Sequence, residues 1–175
     1  DIRYAREKRV KIKLVAQVVK VAGDRFTMFV MPEFVSPKKY IYSVDDEYNG
    51  VVIRGECYDR QFMFGKGAGS LPTASSILSD IMARQHDYRY EYKKMNYADR
   101  PAYTTDILLR IYARYTDTPV PAILPFEKIH EQYFSSECNY LIGDVKLSAL
   151  IEHRAEFNGK DLFLANIPLF FIDRD

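Results

Sequence analysis

A glycine-rich connection between a strand-like and a helix-like segment constrains the fold of this chain more than any other feature. Residues 62–82 read FMFGKGAGSLPTASSILSDIM, with glycine at positions 65, 67 and 69. The apolar residues that follow recur at helical spacing and predict one amphipathic helix. Its apolar stripe comprises Ala74, Ile77, Leu78, Ile81 and Met82. Ser70 is the predicted N-cap, and Pro72 suits the first helical turn, where its missing N–H costs nothing.

The spacing of these glycines leaves two interpretations open. It differs from the dinucleotide fingerprint Gly-x-Gly-x-x-Gly, and no Lys-Ser or Lys-Thr pair follows it as in a P-loop. Backbone N–H groups without side chains, placed before a helix N-terminus, would still attract an anionic or polar ligand group. The alternative is a tight strand-to-helix turn in which glycine supplies positive φ, and the spacing alone favours this alternative.

The first half of the chain predicts a mostly antiparallel sheet. Residues 11–22 alternate as a strand does, and residues 25–31 predict its returning partner after the Gly23-Asp24 turn. Ile12, Leu14, Ala16 and Val18 lie on one side of the first strand, with Lys11, Lys13 and Gln17 on the other. Pro32 and Pro37 are expected to interrupt the next segment. Residues 49–58 and 61–65 predict a hairpin joined at positions 59 and 60.

The second half predicts a small α+β sandwich. Residues 87–103 are polar and tyrosine-rich and are interpreted as a linker between residues 1–86 and residues 104–175. The order of elements is strand, helix, strand, helix and strand. These elements are predicted at 105–115, about 122–134, 138–142, about 146–155 and 161–172, and Ile123, Phe126, Ile129 and Tyr133 form the inner side of the first helix.

Composition excludes several classes of protein. The 175 residues carry 25 basic and 24 acidic side chains, and this balance gives no reason to expect a nucleic acid or an anionic membrane as partner. No apolar run approaches the roughly 20 residues of a membrane span, and the first residues form no signal peptide. Cys57 and Cys138 do not form a disulfide framework and suit a reducing cytoplasm. The chain lacks an initiator methionine, so we interpret it as a piece of a longer one.

The wider glycine segment closely resembles the end of the catalytic region of homoserine dehydrogenases. In that family a strand runs into a Gly-x-Gly-Ala-Gly loop, then LPTAS, then a helix that carries an aspartate, here Asp80. The opening DIRYAREKRVKIKLVAQV is similar to the family's entry into its substrate-domain sheet, and SVDDEYNGVVIRG resembles the strand pair before the loop. The resemblance covers residues 1 to about 83.

The resemblance implies an NAD(P)-dependent enzyme that interconverts L-homoserine and L-aspartate 4-semialdehyde. It implies that Gly69 approaches the cofactor and that Gly67 and Ala68 shape this approach. It also implies that the helix after the loop packs against a nucleotide-binding domain. That domain and the family's catalytic lysine belong upstream of the matched region, so we expect this fragment alone to be inactive. The choice between NAD and NADP depends on the same absent domain.

The second half loosely resembles an ACT-type amino-acid-sensing domain, which many homoserine dehydrogenases carry for feedback by threonine. The family's first turn reads Asp-x-Pro-Gly, and Asp117 and Pro119 match it. Val120 replaces the glycine, and a β-branched side chain would obstruct or shift the turn. An amino-acid effector and a role in packing or oligomerisation are therefore both open for this domain.

The histidines have structural interpretations. His86, His130 and His153 lie far apart and have no cysteine at metal-binding spacing, so no zinc site is expected. His130 is expected as a partly buried packing residue on the helix predicted near 122–134. His86 is expected at the C-terminal end of the helix after the glycine loop, where a cation interacts favourably with the helix dipole.

Other polar residues also have structural interpretations. Cys57 predicts a half-buried strand thiol rather than a nucleophile, because nothing near it supplies a base. The acidic run at 44–47 predicts a solvated turn. Tyrosines alternate with cations over 88–94, a pattern that suits RNA stacking, but the neutral charge of the chain argues against this. An exposed strand edge or face is predicted for the basic residues Lys8, Arg9, Lys11 and Lys13.

Two functions follow as hypotheses. The first is the C-terminal portion of a cytoplasmic homoserine dehydrogenase, and the second is a free-standing amino-acid-binding regulatory module. In either case we expect a homodimer or a higher homo-oligomer, because an open antiparallel sheet with one apolar face must be covered.

Overall fold

The computed structural model describes residues 1–88, 101–117, 119–136 and 138–168. The chain divides into two compact units, one formed by Asp1–Val35 with Arg100–Asp175 and the other by Ser36–Asp99. The functional division predicted from sequence, with a linker over 87–103, is a different one and stays a prediction. Within the described residues, no helix is long and apolar enough to cross a membrane.

The helices and strands are numbered in chain order. The strands are β1 (Lys11–Val21), β2 (Arg25–Val35), β3 (Tyr48–Gly55), β4 (Asp59–Lys66), β5 (Ala102–Tyr103), β6 (Leu108–Tyr115), β7 (Lys128–Tyr133), β8 (Asn139–Lys146) and β9 (Leu162–Asn166). The α-helices are α1 (Ile2–Glu7), α2 (Ser70–Gln85) and α3 (Leu147–Glu152). Short 3-10 turns cover Tyr40–Ser43, Val120–Ala122 and Arg154–Phe157.

The first unit is built on one seven-stranded sheet, mostly antiparallel, which confirms the predicted α+β class. The strand order is β1-β2-β9-β6-β8-β7, and β5 pairs with β2. Apolar clusters lie on both faces, because alternate residues of β6 point to opposite sides. Ile111 belongs to one cluster, with Leu124, Leu141 and the fully buried Val120. Tyr112 belongs to the other, with Phe34.

Strand β2 is longer than the sequence predicts, since it continues through Pro32 to Val35. β1 pairs with it along its whole length, but on its other side, among the residues that the structure describes, β2 meets β9 only at Glu33 and Asn166. A proline lacks the N–H that a ladder needs, and a strand that is sparsely paired on one side tolerates this loss. The prediction that Pro32 interrupts the strand is therefore wrong.

The helix predicted near 122–134 is absent, and β7 occupies Lys128–Tyr133. Pro125 stops a helix here, because it has no N–H and its ring clashes with the preceding turn. β8 then offers a ladder with which β7 pairs in antiparallel orientation. The apolar spacing that indicated a helix is overridden by this pairing.

The other predicted elements of the second half are confirmed in place. β6, β8 and β9 lie within or overlap the predicted strands, and α3 lies within the predicted last helix. Strand β9 ends at Asn166, and positions 169–172 of the predicted last strand lie outside the described residues.

The second unit consists of the β3–β4 hairpin followed by α2. β3 and β4 pair from Tyr48 with Lys66 to Gly55 with Asp59, so residues 56–58 form the turn. The turn predicted at 59 and 60 is wrong by a few residues. Asp59 closes the turn with a positive φ of 52°, a backbone conformation that aspartate tolerates better than most residues.

Candidate functional site

The glycine loop connects the end of β4 to the beginning of α2 and lies at the surface of the second unit. Gly65, Lys66, Gly67, Ala68 and Gly69 are all exposed. The loop therefore has the accessibility that contact with a ligand or another domain requires.

Gly67 is held against the neighbouring strand. Its N–H donates a hydrogen bond of 3.1 Å to the carbonyl oxygen of Glu47. A Cβ at this position would overlap the side-chain amide of Asn49, so glycine leaves the space that this amide occupies. The interpretation of the loop as backbone N–H groups open to a ligand is therefore wrong at Gly67, whose N–H is already bonded to Glu47.

Gly69 has a backbone conformation that requires glycine. Its φ of 117° and ψ of 156° lie in a region that residues with a Cβ rarely adopt. Its carbonyl oxygen accepts hydrogen bonds from the N–H of Thr73 at 3.2 Å and from the Thr73 hydroxyl at 2.8 Å. Gly69 is thus the N-cap of α2, and Ser70, the predicted N-cap, is the first helical residue.

The beginning of α2 offers donors for a ligand. No side chain caps the helix, and within the described residues the N–H groups of Ala68 and Gly69 form no hydrogen bond. The first amides of a helix have no intrahelical partner and carry the positive end of its dipole. This end of α2 is therefore suited to a polar or anionic group of a ligand.

An ion pair borders the loop. Lys66 Nζ lies 2.7 Å from Glu47 Oε1, and both side chains are exposed. The hydrogen bond from Lys66 lowers the pKa of the Glu47 carboxyl, and the same bond raises the pKa of Lys66. The sequence-based register misses this pair, because a turn at 59 and 60 separates Lys66 from Tyr48, whereas the observed turn pairs them and so brings Lys66 close to Glu47.

The apolar side of α2 is uncovered. None of its residues is buried, and Leu71 is 82% exposed. The predicted apolar stripe exists as a helix face, and four of its members are exposed large side chains: Ile77, Leu78, Ile81 and Met82. The hairpin in the same unit also exposes apolar side chains, among them Val51 and Phe64.

The histidines and Cys57 lie partly where the sequence predicts. His86 is at the C-terminal cap of α2, as predicted. Cys57 is exposed in the β3–β4 turn and is not a half-buried strand residue. His130 is on strand β7 rather than on a helix, and His153 bonds Glu156 at 2.7 Å.

The acidic and basic runs also have observed positions. Residues 45–47 are exposed, as predicted for the acidic turn. Lys11 and Lys13 lie on β1, the edge strand of the large sheet. Most of the alternating tyrosine segment, at 89–94, lies outside the described residues. Across the described part of the chain, no three His, Cys, Asp or Glu side chains form a group that could hold a metal.

A polar cluster that the sequence did not reveal crosses three strands of the large sheet. Asp144 Oδ1 accepts a hydrogen bond of 2.9 Å from Arg110 Nε, and Asp144 Oδ2 lies 2.7 Å from His130 Nε2. A β-bulge at positions 129–131 brings His130 to this cluster, since bulges redirect side chains. Partial burial acts to raise the pKa of Asp144, but the bonds from Arg110 and His130 outweigh it and hold that pKa below its usual value.

The comparisons with known proteins agree with the family resemblance of the segment that contains the glycine loop. The family model for homoserine dehydrogenase matches residues 1–82. Curated homoserine dehydrogenases from Bacillus subtilis and Neisseria gonorrhoeae are 29% identical over 89 residues and 33% identical over 82 residues. The matches cover 51% and 47% of this chain but only 20% and 19% of those relatives. The chain thus matches about one fifth of the length of these curated relatives.

Solved structures show a similar fold over nearly the whole chain. A homoserine dehydrogenase from Thiobacillus denitrificans has a TM-score of 0.64 at 21% identity, covering 96% of this chain and 44% of that chain. One from S. aureus has a TM-score of 0.56 at 20% identity, with the same coverage. Residues 1–82 are thus similar to homoserine dehydrogenases, and the fold of the chain is similar to that of solved homoserine dehydrogenases.

Proposed function

We propose that this chain forms part of an NAD(P)-dependent homoserine dehydrogenase that interconverts L-homoserine and L-aspartate 4-semialdehyde. The observation that carries the proposal is the exposed loop at 67–69, where the N–H groups of Ala68 and Gly69 lie before a helix N-terminus that no side chain caps. The nucleotide-binding domain and the catalytic lysine come from polypeptide other than these 175 residues. For this enzyme we propose a cytoplasmic location, consistent with the free thiols of Cys57 and Cys138.

Ala68 and Gly69 are the residues that would meet the cofactor. Their N–H groups are available, and a side chain at Gly69 would require a strained backbone. Gly67 has a supporting role, because its N–H bonds the carbonyl oxygen of Glu47, the residue before β3, and so holds the loop in place. NAD(P) supplies the hydride chemistry when bound, while this chain contributes a polar backbone surface and excludes water from that side.

The uncovered side of α2 supports the same proposal. An apolar helix face that is exposed within one fragment indicates a partner surface. We propose that the nucleotide-binding domain covers it, as the family resemblance implies. The isolated chain is then expected to show no turnover with homoserine and NADP.

A chimera tests the proposed function. Residues 1–82 of this chain would replace the matching segment of the Bacillus subtilis homoserine dehydrogenase, and kcat/KM would be measured with homoserine and either cofactor. We expect an active chimera, and we expect Gly69→Val to reduce kcat/KM by about tenfold or more, since a small misplacement near a bound reactant is costly. Gly65→Ala is the matched control, because a Cβ there meets nothing within 4 Å.

The outcomes separate folding from function. Circular dichroism and thermal unfolding establish whether each chimera folds. A folded chimera that binds cofactor normally, and in which Gly69→Val and Gly65→Ala have equal activity, contradicts the assignment of the loop to the cofactor.

The outer face of the β1–β2 hairpin supports an oligomer. Leu14, Val18, Met28 and Val30 are all exposed large apolar side chains on this face. The side of β1 that the sequence marks as apolar is thus uncovered, while Val15 and Val19 occupy the inner side. We propose that a second copy of the chain covers the outer face in a homodimer.

A pocket in the second half favours one alternative function, an amino-acid-binding regulatory module. Asp117, Lys160 and Tyr115 line a pocket of about 220 Å³ beside the turn that resembles the ACT effector turn. A carboxylate and an ammonium group at one pocket suit a zwitterionic amino acid. Val120, which stands where the ACT turn has glycine, is fully buried in the core. A smaller residue at this position would therefore lose packing.

Calorimetric titration with threonine and related amino acids tests this alternative. Saturable heat that Lys160→Ala abolishes and Lys146→Ala preserves would favour the module. Absence of heat would leave a packing role for this half of the chain.

A further inference from the structure

An open cleft of about 230 Å³ lies in the first unit, between the inner face of the β1–β2 hairpin and the beginning of β6. It lies where, among the described residues, β2 pairs with β9 only at Glu33 and Asn166 and with the short β5 only at Arg25 and Phe26. The cleft is thus a consequence of the sheet topology.

The walls of the cleft are mostly apolar. Val19 and Val21 from β1 and Phe29 from the adjacent strand β2 line one side, and Ile107 and Leu109 line the other. An apolar cavity of about 150 Å³ is large enough to bind benzene. The volume here therefore suits a molecule of that size with one polar substituent.

One wall carries an unsatisfied polar group. Thr27 lines the cleft and is 1% exposed, and its hydroxyl oxygen has no hydrogen-bond partner within the described part of the chain. A buried hydroxyl without a partner is costly and rare in native proteins. The methyl and hydroxyl groups of threonine have similar sizes, so rotation about χ1 can turn the hydroxyl toward a ligand in the cleft.

Two amides at the cleft have a fixed orientation. Gln17 Nε2 and Asn166 Nδ2 both donate hydrogen bonds to Glu33 Oε2, the second at 3.3 Å. Each amide oxygen therefore points away from Glu33 and is an acceptor. Both residues line the cleft together with Lys20 and Arg110, and the Arg110 guanidinium is bonded to Asp144. The two amide oxygens therefore suit a ligand that donates a hydrogen bond.

We propose that this cleft is a binding site for a small molecule with an apolar, benzene-sized body and one hydroxyl or amine donor. The apolar walls hold the body, and the donor meets Thr27 or the neighbouring amide oxygens. This site belongs to the fold of the large sheet and does not depend on the function proposed for the glycine loop.

Phenol and benzene, titrated separately into the full 175-residue chain, test the proposal. Methyl NMR shifts would be followed at Val19, Val21 and Ile107. We expect saturable shifts at these methyl groups and tighter binding of phenol by about fivefold, because its hydroxyl adds one hydrogen bond. In Thr27→Val, which keeps the shape and removes the hydroxyl, this preference should fall markedly.

Two bulky variants control for position. Ala22→Phe places a ring at the exposed mouth of the cleft and should abolish the shifts, whereas Val18→Phe adds the same bulk to the opposite face of β1 and should not. The proposal is overturned if neither probe produces saturable shifts at the cleft, if Ala22→Phe leaves binding unchanged, or if phenol and benzene bind equally to the original chain.

Discussion

At the scale of single residues, Asp144 shows how a partly buried charge is kept ionised. It accepts hydrogen bonds from Arg110, and His130 reaches it only through the bulge in β7. Such bonds to a charged group contribute more than neutral ones, whereas an exposed pair contributes little. Strand pairing and the bulge assemble this cluster from positions far apart in sequence, so no local pattern could predict it.

We expect Asp144→Asn to lower the free energy of unfolding by about 2 kcal/mol near neutral pH. The pKa of Asp144 is lowered in the folded chain, so its contribution is present above the unfolded pKa and is lost as the pH falls through the folded pKa. Urea unfolding from about pH 7 to about pH 2 should therefore show a smaller acid-dependent loss in the variant. Asp59→Asn, at an exposed pair with Arg60, should change stability little.

Gly69 and Gly65 differ in backbone conformation and form a matched pair. Gly69→Ala should destabilise the chain by about 1–3 kcal/mol, because its φ of 117° is strained for alanine. Gly65→Ala should be neutral or slightly stabilising, since it reduces the freedom of the unfolded chain. Chemical unfolding of both variants measures the difference, and equal effects would show that the conformation at Gly69 is not restrictive.

At the scale of elements, prediction succeeds where local chemistry and tertiary pairing agree. The glycine loop and α2 are predictable, because glycine spacing, Pro72 and the apolar stripe all indicate one strand-to-helix connection. β7 is not predictable, because its apolar spacing suits a helix and only the antiparallel pairing with β8 stabilises it as a strand. The hydrogen bond from the Gly67 N–H to the Glu47 carbonyl oxygen also depends on the register of the β3–β4 hairpin. The turn predicted at 59 and 60 gives a different register, so the sequence does not reveal this bond.

The exposed face of α2 gives a prediction about this element. Ile77→Ser should change the stability of the isolated chain by no more than about 0.5 kcal/mol, because the side chain is largely exposed. Leu124→Ala, at a fully buried position, should cost about 2–5 kcal/mol. Thermal unfolding compares the two, and a large effect of Ile77→Ser would show that α2 is already covered in the isolated chain.

At the scale of the whole molecule, the outer face of the β1–β2 hairpin determines the assembly we expect. Leu14 and Val18 are 75% and 74% exposed, and a contiguous apolar sheet face of this kind marks an interaction surface. Sedimentation equilibrium should show a dimer for the original chain and a monomer for Val18→Glu, since an unpaired buried charge is unfavourable at an interface. Lys20→Glu, beyond the apolar stretch on the same strand, is the control and should leave the dimer intact. If Val18→Glu sediments as the original chain does, with unchanged unfolding, the outer face is not the dimer contact. A protein that is monomeric in both forms would instead indicate that a partner other than a second copy covers this face.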